Sequence, residues 1–274
     1  MKLFKKKSFW FVLYGICITT IFLYVLFPAE TVRSKLESSV NSSDFIFRSS
    51  SLRVSFPFGL KFKNVTLRSS SFGQNPVFHG ESLDIQYSLL NLIRKRLILG
   101  LSGQAYGGSF NGSSAVLSWK KIFPPAEAKL YFKNIDLQKF GLLKNKVGGE
   151  ISGKAQGFLN YQTDDAGGIT EGALQVFISD GAYPLAEPFL GINKIDFTTA
   201  HIEVVFQSEG IGLKLLELSG ERINCSLAGD IIPDADLAES RLDLKGTIEI
   251  IGKDRTKVQV AIGGTLANPV FKYI

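Results

Sequence analysis

From Phe45 to the C-terminus, apolar and polar residues alternate with a period of two, and that period leaves few folds open to the chain. Successive side chains of a strand point to opposite faces, so sustained alternation builds a sheet with one oily side and one wetted side. Arg241 to Ile250 shows the pattern most cleanly: Leu242, Leu244, Ile248 and Ile250 share one parity, and charged or polar groups take the other. Ile202, Val204 and Phe206 stand against His201, Glu203 and Gln207 in the same way, as do Val258, Val260 and Ile262 against Lys257 and Gln259. These ten apolar residues are the candidate core or groove. Similar stretches near 45–56, 61–68, 76–88, 97–106, 109–119, 126–135, 149–162, 168–180, 211–219, 222–232 and 268–274 bring the expectation to about fourteen strands.

Glycines punctuate the alternation. Gly107-Gly108, Gly148-Gly149, Gly167-Gly168 and Gly263-Gly264 fall between strand-like runs or at their ends, where the backbone must turn or approach closely. Gly149, Gly153 and Gly157 recur every fourth residue, a spacing shared with helix-packing motifs. Such a motif needs an apolar segment; here Glu150, Ser152, Lys154 and Gln156 alternate with Ile151 and Ala155, so the expectation is a curved strand with glycines on its inner face. Short helices are expected only around Leu89–Arg96, Asp136–Leu143 and Leu185–Leu190. The recurrence of strand, glycine and strand favours a repetitive meander.

The first 28 residues obey a different rule. Phe9 to Phe27 is a run of 19 residues without a charge, closed by Pro28, and as a helix it measures roughly 28 Å, about the apolar thickness of a bilayer. The anchor residues are Phe9, Trp10, Phe11, Val12, Leu13, Ile16, Ile18, Ile21, Phe22, Leu23, Val25, Leu26 and Phe27. The twelve Leu, Ile, Val and Phe among them favour insertion by roughly 4 to 7 kcal/mol in sum. Lys2, Lys5, Lys6 and Lys7 precede the run and only Glu30 follows closely, so the positive-inside rule sets the N-terminus in the cytoplasm and exports the rest. A cleaved leader would want a small residue where Phe27 stands, and lipidation of Cys17 would want one where Ile16 stands. The permanent anchor is the better reading. Beyond it, Val32, Leu36 and Val40 are spaced by four, which predicts a short amphipathic helix over 29–41, lying at the membrane surface or capping the first strand.

Charge and cysteines narrow the function. The net charge of +6 resides mostly in the anchor's flank: with the four head lysines set aside, 27 basic residues face 25 acidic ones. A nucleic-acid partner is therefore not expected. Cys17 and Cys225 lie on opposite sides of the membrane boundary and cannot pair within one chain, and Cys225 shares parity with Ile223 and Leu227, as a small buried residue would. No metal-ligand spacing links His79 or His201 to each other or to a cysteine, no nucleophile elbow or phosphate-binding loop is present, and Asp164-Asp165-Ala166-Gly167-Gly168 reads as a turn. Neither catalysis, a cofactor nor a metal is expected; contact is.

Several segments resemble a known family. Phe27-Pro28-Ala29-Glu30, then Phe56-Pro57-Phe58-Gly59-Leu60-Lys61-Phe62, then Ser82-Leu83-Asp84-Ile85 leading to Tyr106-Gly107-Gly108-Ser109-Phe110, are similar in order and spacing to the general secretion pathway protein N family. Gly263-Gly264-Thr265-Leu266-Ala267-Asn268-Pro269 resembles the ending of that family and of the wider AsmA-like group. The resemblance implies a single-pass inner-membrane protein with a periplasmic β-rich domain, an accessory subunit of type II secretion that touches other subunits. The AsmA-like relatives imply a second possibility, an envelope lipid-binding or lipid-transfer module with phospholipid in an apolar groove. The expected organisation is a basic head over 1–8, a transmembrane helix over 9–27, a juxtamembrane helix over 28–44 and a mainly β periplasmic domain over 45–274. That domain is expected to be a long, curved, largely antiparallel sheet, as a groove or a flattened sandwich.

Overall fold

The computed structural model describes residues 7–41, 45–55, 59–69, 76–87, 97–116, 126–141, 151–164, 168–189, 192–234, 239–251 and 256–274. Two α-helices open the chain, α1 over Lys7–Val25 and α2 over Ala29–Val40. Fifteen strands follow: β1 Phe45–Arg48, β2 Ser51–Ser55, β3 Gly59–Ser69, β4 Pro76–Tyr87, β5 Leu97–Ala105, β6 Gly108–Val116, β7 Glu127–Asp136, β8 Ser152–Thr163, β9 Ile169–Phe189, β10 Ile192–Gln207, β11 Gly210–Ser219, β12 Ile223–Ile232, β13 Arg241–Ile250, β14 Thr256–Gly264 and β15 Pro269–Tyr273. All belong to one open antiparallel sheet in which each strand from β3 onward lies beside its successor in sequence. β1 and β2 lie end to end along the same side of β3, pairing with Thr66–Ser69 and Gly59–Lys63 respectively. The single stretch expected over 45–56 is thus broken at Ser49-Ser50. Among the described residues every strand joins this one sheet, the long, largely antiparallel sheet that the alternation leads one to expect.

α1 ends at Val25 rather than Phe27. Pro28 drives the residue before it out of the helical region, and Phe27 leaves the helix axis to pack on the sheet. Trp10, Phe11, Val12, Ile21, Phe22 and Val25 of α1 are all exposed, so its described apolar side chains face outward, and the Tyr24 hydroxyl near its end donates to the Val54 carbonyl at 2.9 Å. Counted on the described residues, no helix is long and apolar enough to cross a membrane; Lys2, Lys5 and Lys6 lie outside those residues, as do the side chains of Lys7, Ile16 and Leu23. α2 forms where the spacing of four placed it. Its inward side chains, Val32 and Leu36, pack with Phe27 against Leu52, Phe62 and Val65, and Val40 is exposed at its end. The strand-capping role is the one the packing shows.

Among the short helices expected elsewhere, Leu89–Arg96 lies outside the described residues. Of the stretch Asp136–Leu143, the described residues form a 3-10 turn over Leu137–Lys139, with the Asp136 carboxylate accepting from the Gln138 N–H at 3.1 Å, and Gly141 is helical; Leu142 and Leu143 lie outside the described residues. Over 185–189 the chain is not helical, since β9 continues to Phe189 beside β10, and Leu190 lies outside the described residues. Prolines in a strand normally forfeit a ladder bond, but among the described residues β8 accompanies β9 only as far as Ala182, so Pro184 and Pro188 lie where β10 is the one described neighbour, the edge setting in which strands tolerate proline.

Tyr106 and Gly107 both have positive φ, 54° and 75°, and join Ala105 to Gly108 as a two-residue hairpin of the kind that matches strand twist. Gly157 and Gly246 serve another purpose. At each, the carbonyl of the neighbouring strand, Gln175 or Ser226, stands where a Cβ would be, so the sheet can bend there only because the side chain is missing. Gly153 (φ 126°) sits at the register shift between Ser152 and Lys154, a bulge that turns β8, while Gly149 lies outside the described residues.

Candidate functional site

Register turns the alternation of single strands into continuous rows across the sheet. One row runs through Val54, Leu60, Ile85, Leu101, Gly112, Leu130, Leu159, Leu174, Val204, Leu213, Gly229, Leu244, Ile262 and Phe271, each directly opposite the next. The row beside it runs through Leu52, Phe62, Leu83, Gly103, Phe110, Phe132, Gly157, Val176, Ile202, Leu216, Leu227, Gly246, Val260 and Tyr273. Neither row contains a charged side chain, and Tyr273 at the end carries the one polar group. At ~4.8 Å per strand the rows extend about 60 Å. The opposite face has rows of another kind, such as Arg53, Lys61, Asp84, Ser102 and Asn111.

All ten apolar residues singled out in the sequence lie on this apolar face. Val204, Leu244 and Ile262 belong to the first row, and Ile202 and Val260 to the second. Ile248 and Val258 face each other on one flank, Phe206 and Leu242 lie in the flanking row on the other side, and Ile250 opposes Ile223. The sequence reading missed the whole N-terminal half of the rows. Within β3, β4, β5, β7 and β8 the alternation was visible, but the pairing of one strand with the next is a tertiary property with no local signature.

Shielding of the face differs along its length. Over β10–β14, Val204, Leu213, Ile223, Leu227, Leu244, Ile248, Val260 and Ile262 form one buried cluster, with Val260 at 0% exposure. A flat single layer would leave such a residue half wet; its burial requires the sheet to curl over this face. Register shifts at Glu203/Val204 and between Leu213 and Leu216 supply the bends, and β10 approaches β12 past the strand between them. Over β1–β4 the cover is α2 and Phe27. Between these ends Leu101, Leu130, Leu159 and Leu174 remain partly exposed.

Polar chemistry elsewhere is sparse. His201 stacks on Phe177 at 4.1 Å, with its Nε2 3.1 Å from Glu203 Oε1 and from Gln175 Nε2, all on the polar face. Asp164 closes a hairpin, its carboxylate accepting from the Gly168 N–H at 2.8 Å; Asp165 lies outside the described residues. Burial pushes the Cys225 thiol up to about 11, so at neutral pH it is a protonated packing group in the cluster over β10–β14. Burial also raises the phenols of Tyr161 and Tyr183, and that of Tyr106 against the opposing effect of the 2.8 Å bond it accepts from the His79 N–H. No group of three or more His, Cys, Asp or Glu is arranged for a metal among the described residues. What the arrangement offers is a long apolar face, covered at its two ends and partly exposed between them.

No family model, no curated protein and no solved structure matches the chain.

Proposed function

We propose that this protein is anchored in a bacterial inner membrane by residues 9–27, with its N-terminus cytoplasmic, and holds extended apolar ligands, lipid acyl chains above all, along the face of its periplasmic sheet. The observation that carries the reading is the pair of uncharged rows running without interruption from β2 to β15. A folded chain of this size would ordinarily cover the whole of such a face with a second layer; here cover is limited to the two ends, and a partly exposed apolar stretch between them, rimmed by polar residues, supports a binding surface. Each methylene laid along it contributes about 0.8 kcal/mol, so chain length governs affinity. The outward-facing apolar side chains of α1 support the anchor, since in water they would be an aggregation liability.

Adjacent residues on opposite faces give the test. A photo-reactive amino acid at Leu130, on the apolar row, is expected to capture phospholipid in cells, and the same group at Tyr131, on the polar face, is not. Equal capture at both, or at neither, overturns the reading.

A second reading makes the chain an accessory subunit of type II secretion, working through protein contacts. The resemblance described above supports it, and so does the exposed apolar surface of Leu266, Val270 and Ile274 at the terminal strand, which suits addition of a partner's strand. Cross-linking in membranes with identification of the captured neighbours tests it; recovery without any secretion component counts against it.

A further inference from the structure

We infer that α2 is a lid on the membrane-proximal end of the apolar face, so that acyl chains enter there only when Val32 and Leu36 lift away. The inference rests on the acyl-binding reading above and adds its regulation. Two of the first six positions of the two rows, Leu52 and Phe62, belong to the cluster that Phe27, Val32 and Leu36 pack against, and three more, Leu60, Leu83 and Ile85, pack on that same cluster. A ligand lying along the rows and two side chains of α2 therefore compete for the same surface at this end and nowhere else.

The attachment of α2 is built to be reversible. None of its residues is fully buried. Its polar contacts go to the sheet's edge: Arg33 Nη1 donates to the Ser50 carbonyl at 2.7 Å, Glu37 Oε1 accepts from the Ser49 N–H at 3.0 Å and from its hydroxyl at 2.9 Å, and Asn41 Oδ1 accepts from the Phe47 N–H. Water can replace every one of these bonds at an edge strand, so lifting α2 strands no buried group. Arg33 is imperfectly seated as well. Its guanidinium is shared with Glu30 at 2.7 Å and Glu37 at 3.8 Å, while Nε is buried without a hydrogen-bond partner. Pro28 at the start of α2 and the extended Asn41 at its end provide the two points about which it would swing. Since α2 follows α1 directly, the end it covers is the end beside the membrane.

Loading of the full-length protein in nanodiscs with a pyrene-labelled phosphatidylglycerol, supplied from vesicles, tests the lid. In a Cys17→Ser background, Glu37→Cys and Ser49→Cys joined by a reducible bifunctional thiol reagent hold α2 down. The expected result is a loading rate lower by about tenfold or more, restored by reductant, because only the lifted fraction is competent. Val32→Ser with Leu36→Ser should load faster than the parent, and hydrogen exchange of β3 and β4 confirms that this variant stays folded. Equal loading in tethered and reduced forms overturns the lid and leaves acyl binding standing. Failure of the parent, the reduced form and the serine variant alike to take up the probe overturns both.

Discussion

The two ends of the sheet carry the same rows but keep them dry by different means. At β1–β4 the cover is a separate element: α2 and Phe27 lie on Leu52, Phe62 and Val65, and the packing is a detachable contact between helix and sheet. At β10–β14 the cover is the sheet itself, which curls until Val260 has no exposure at all. A helix can leave without disturbing a ladder, whereas a curl cannot open without breaking one. The first end is therefore suited to change and the second to permanence, and the half-exposed stretch between them is the part open to solvent.

The comparison breaks most sharply under charge. Val260→Asp would bury an unpaired carboxylate inside the curled end and should cost about 3–5 kcal/mol, unfolding β10–β15 by hydrogen exchange. Leu130→Asp, in the half-exposed middle, should cost about 1 kcal/mol or less, since its charge reaches water. If the two substitutions cost the same, the middle is as closed as the end. A subtler probe sharpens the account of the curl. Gly246→Ala places a methyl against the Ser226 carbonyl and should destabilise by roughly 1–3 kcal/mol in urea, whereas Gly100→Ala, with nothing nearer than 3.7 Å, should fall within about 0.5 kcal/mol of the parent. The smallest effect concerns Cys225. Because its folded-state thiol titrates near 11 rather than 9.0, the unfolded chain loses that proton first, and stability present below pH 9 is lost as pH rises toward 11. Cys225→Ala should flatten that part of the profile in thermal melts, and alkylation of the native thiol at pH 8 should be far slower than in urea.

Much of this was legible in the residues themselves. The strands over 61–68, 97–106, 211–219 and 241–250 were visible because alternation is local, and so was α2 because its apolar spacing is local too. The rows were not. Asn64, Asn134 and Asp180 adopt positive φ (47°, 56° and 50°) inside or beside strands and shift the parity that alternation relies on. Phe132 and Ile135 illustrate the loss: Phe132 opposes Gly157 and Ile135 opposes Ala155, across a register shift that no composition rule announces. β7 also reads Leu130-Tyr131-Phe132, apolar on both parities, where an alternating pattern cannot choose a face. The C-terminal residues were identified because β10 and β14 each set three large apolar residues in succession on one parity, Ile202, Val204 and Phe206 and Val258, Val260 and Ile262, and β13 sets four. The extra length of β9 was hidden by two prolines that, in most sheets, would have ended it.

The meander has one more implication. Because every strand from β3 onward neighbours its successor, each hairpin can be laid down as soon as its two strands are available, without waiting for distant sequence. The same topology makes reach an adjustable quantity: one inserted hairpin would lengthen the apolar face by about 10 Å and rewire nothing.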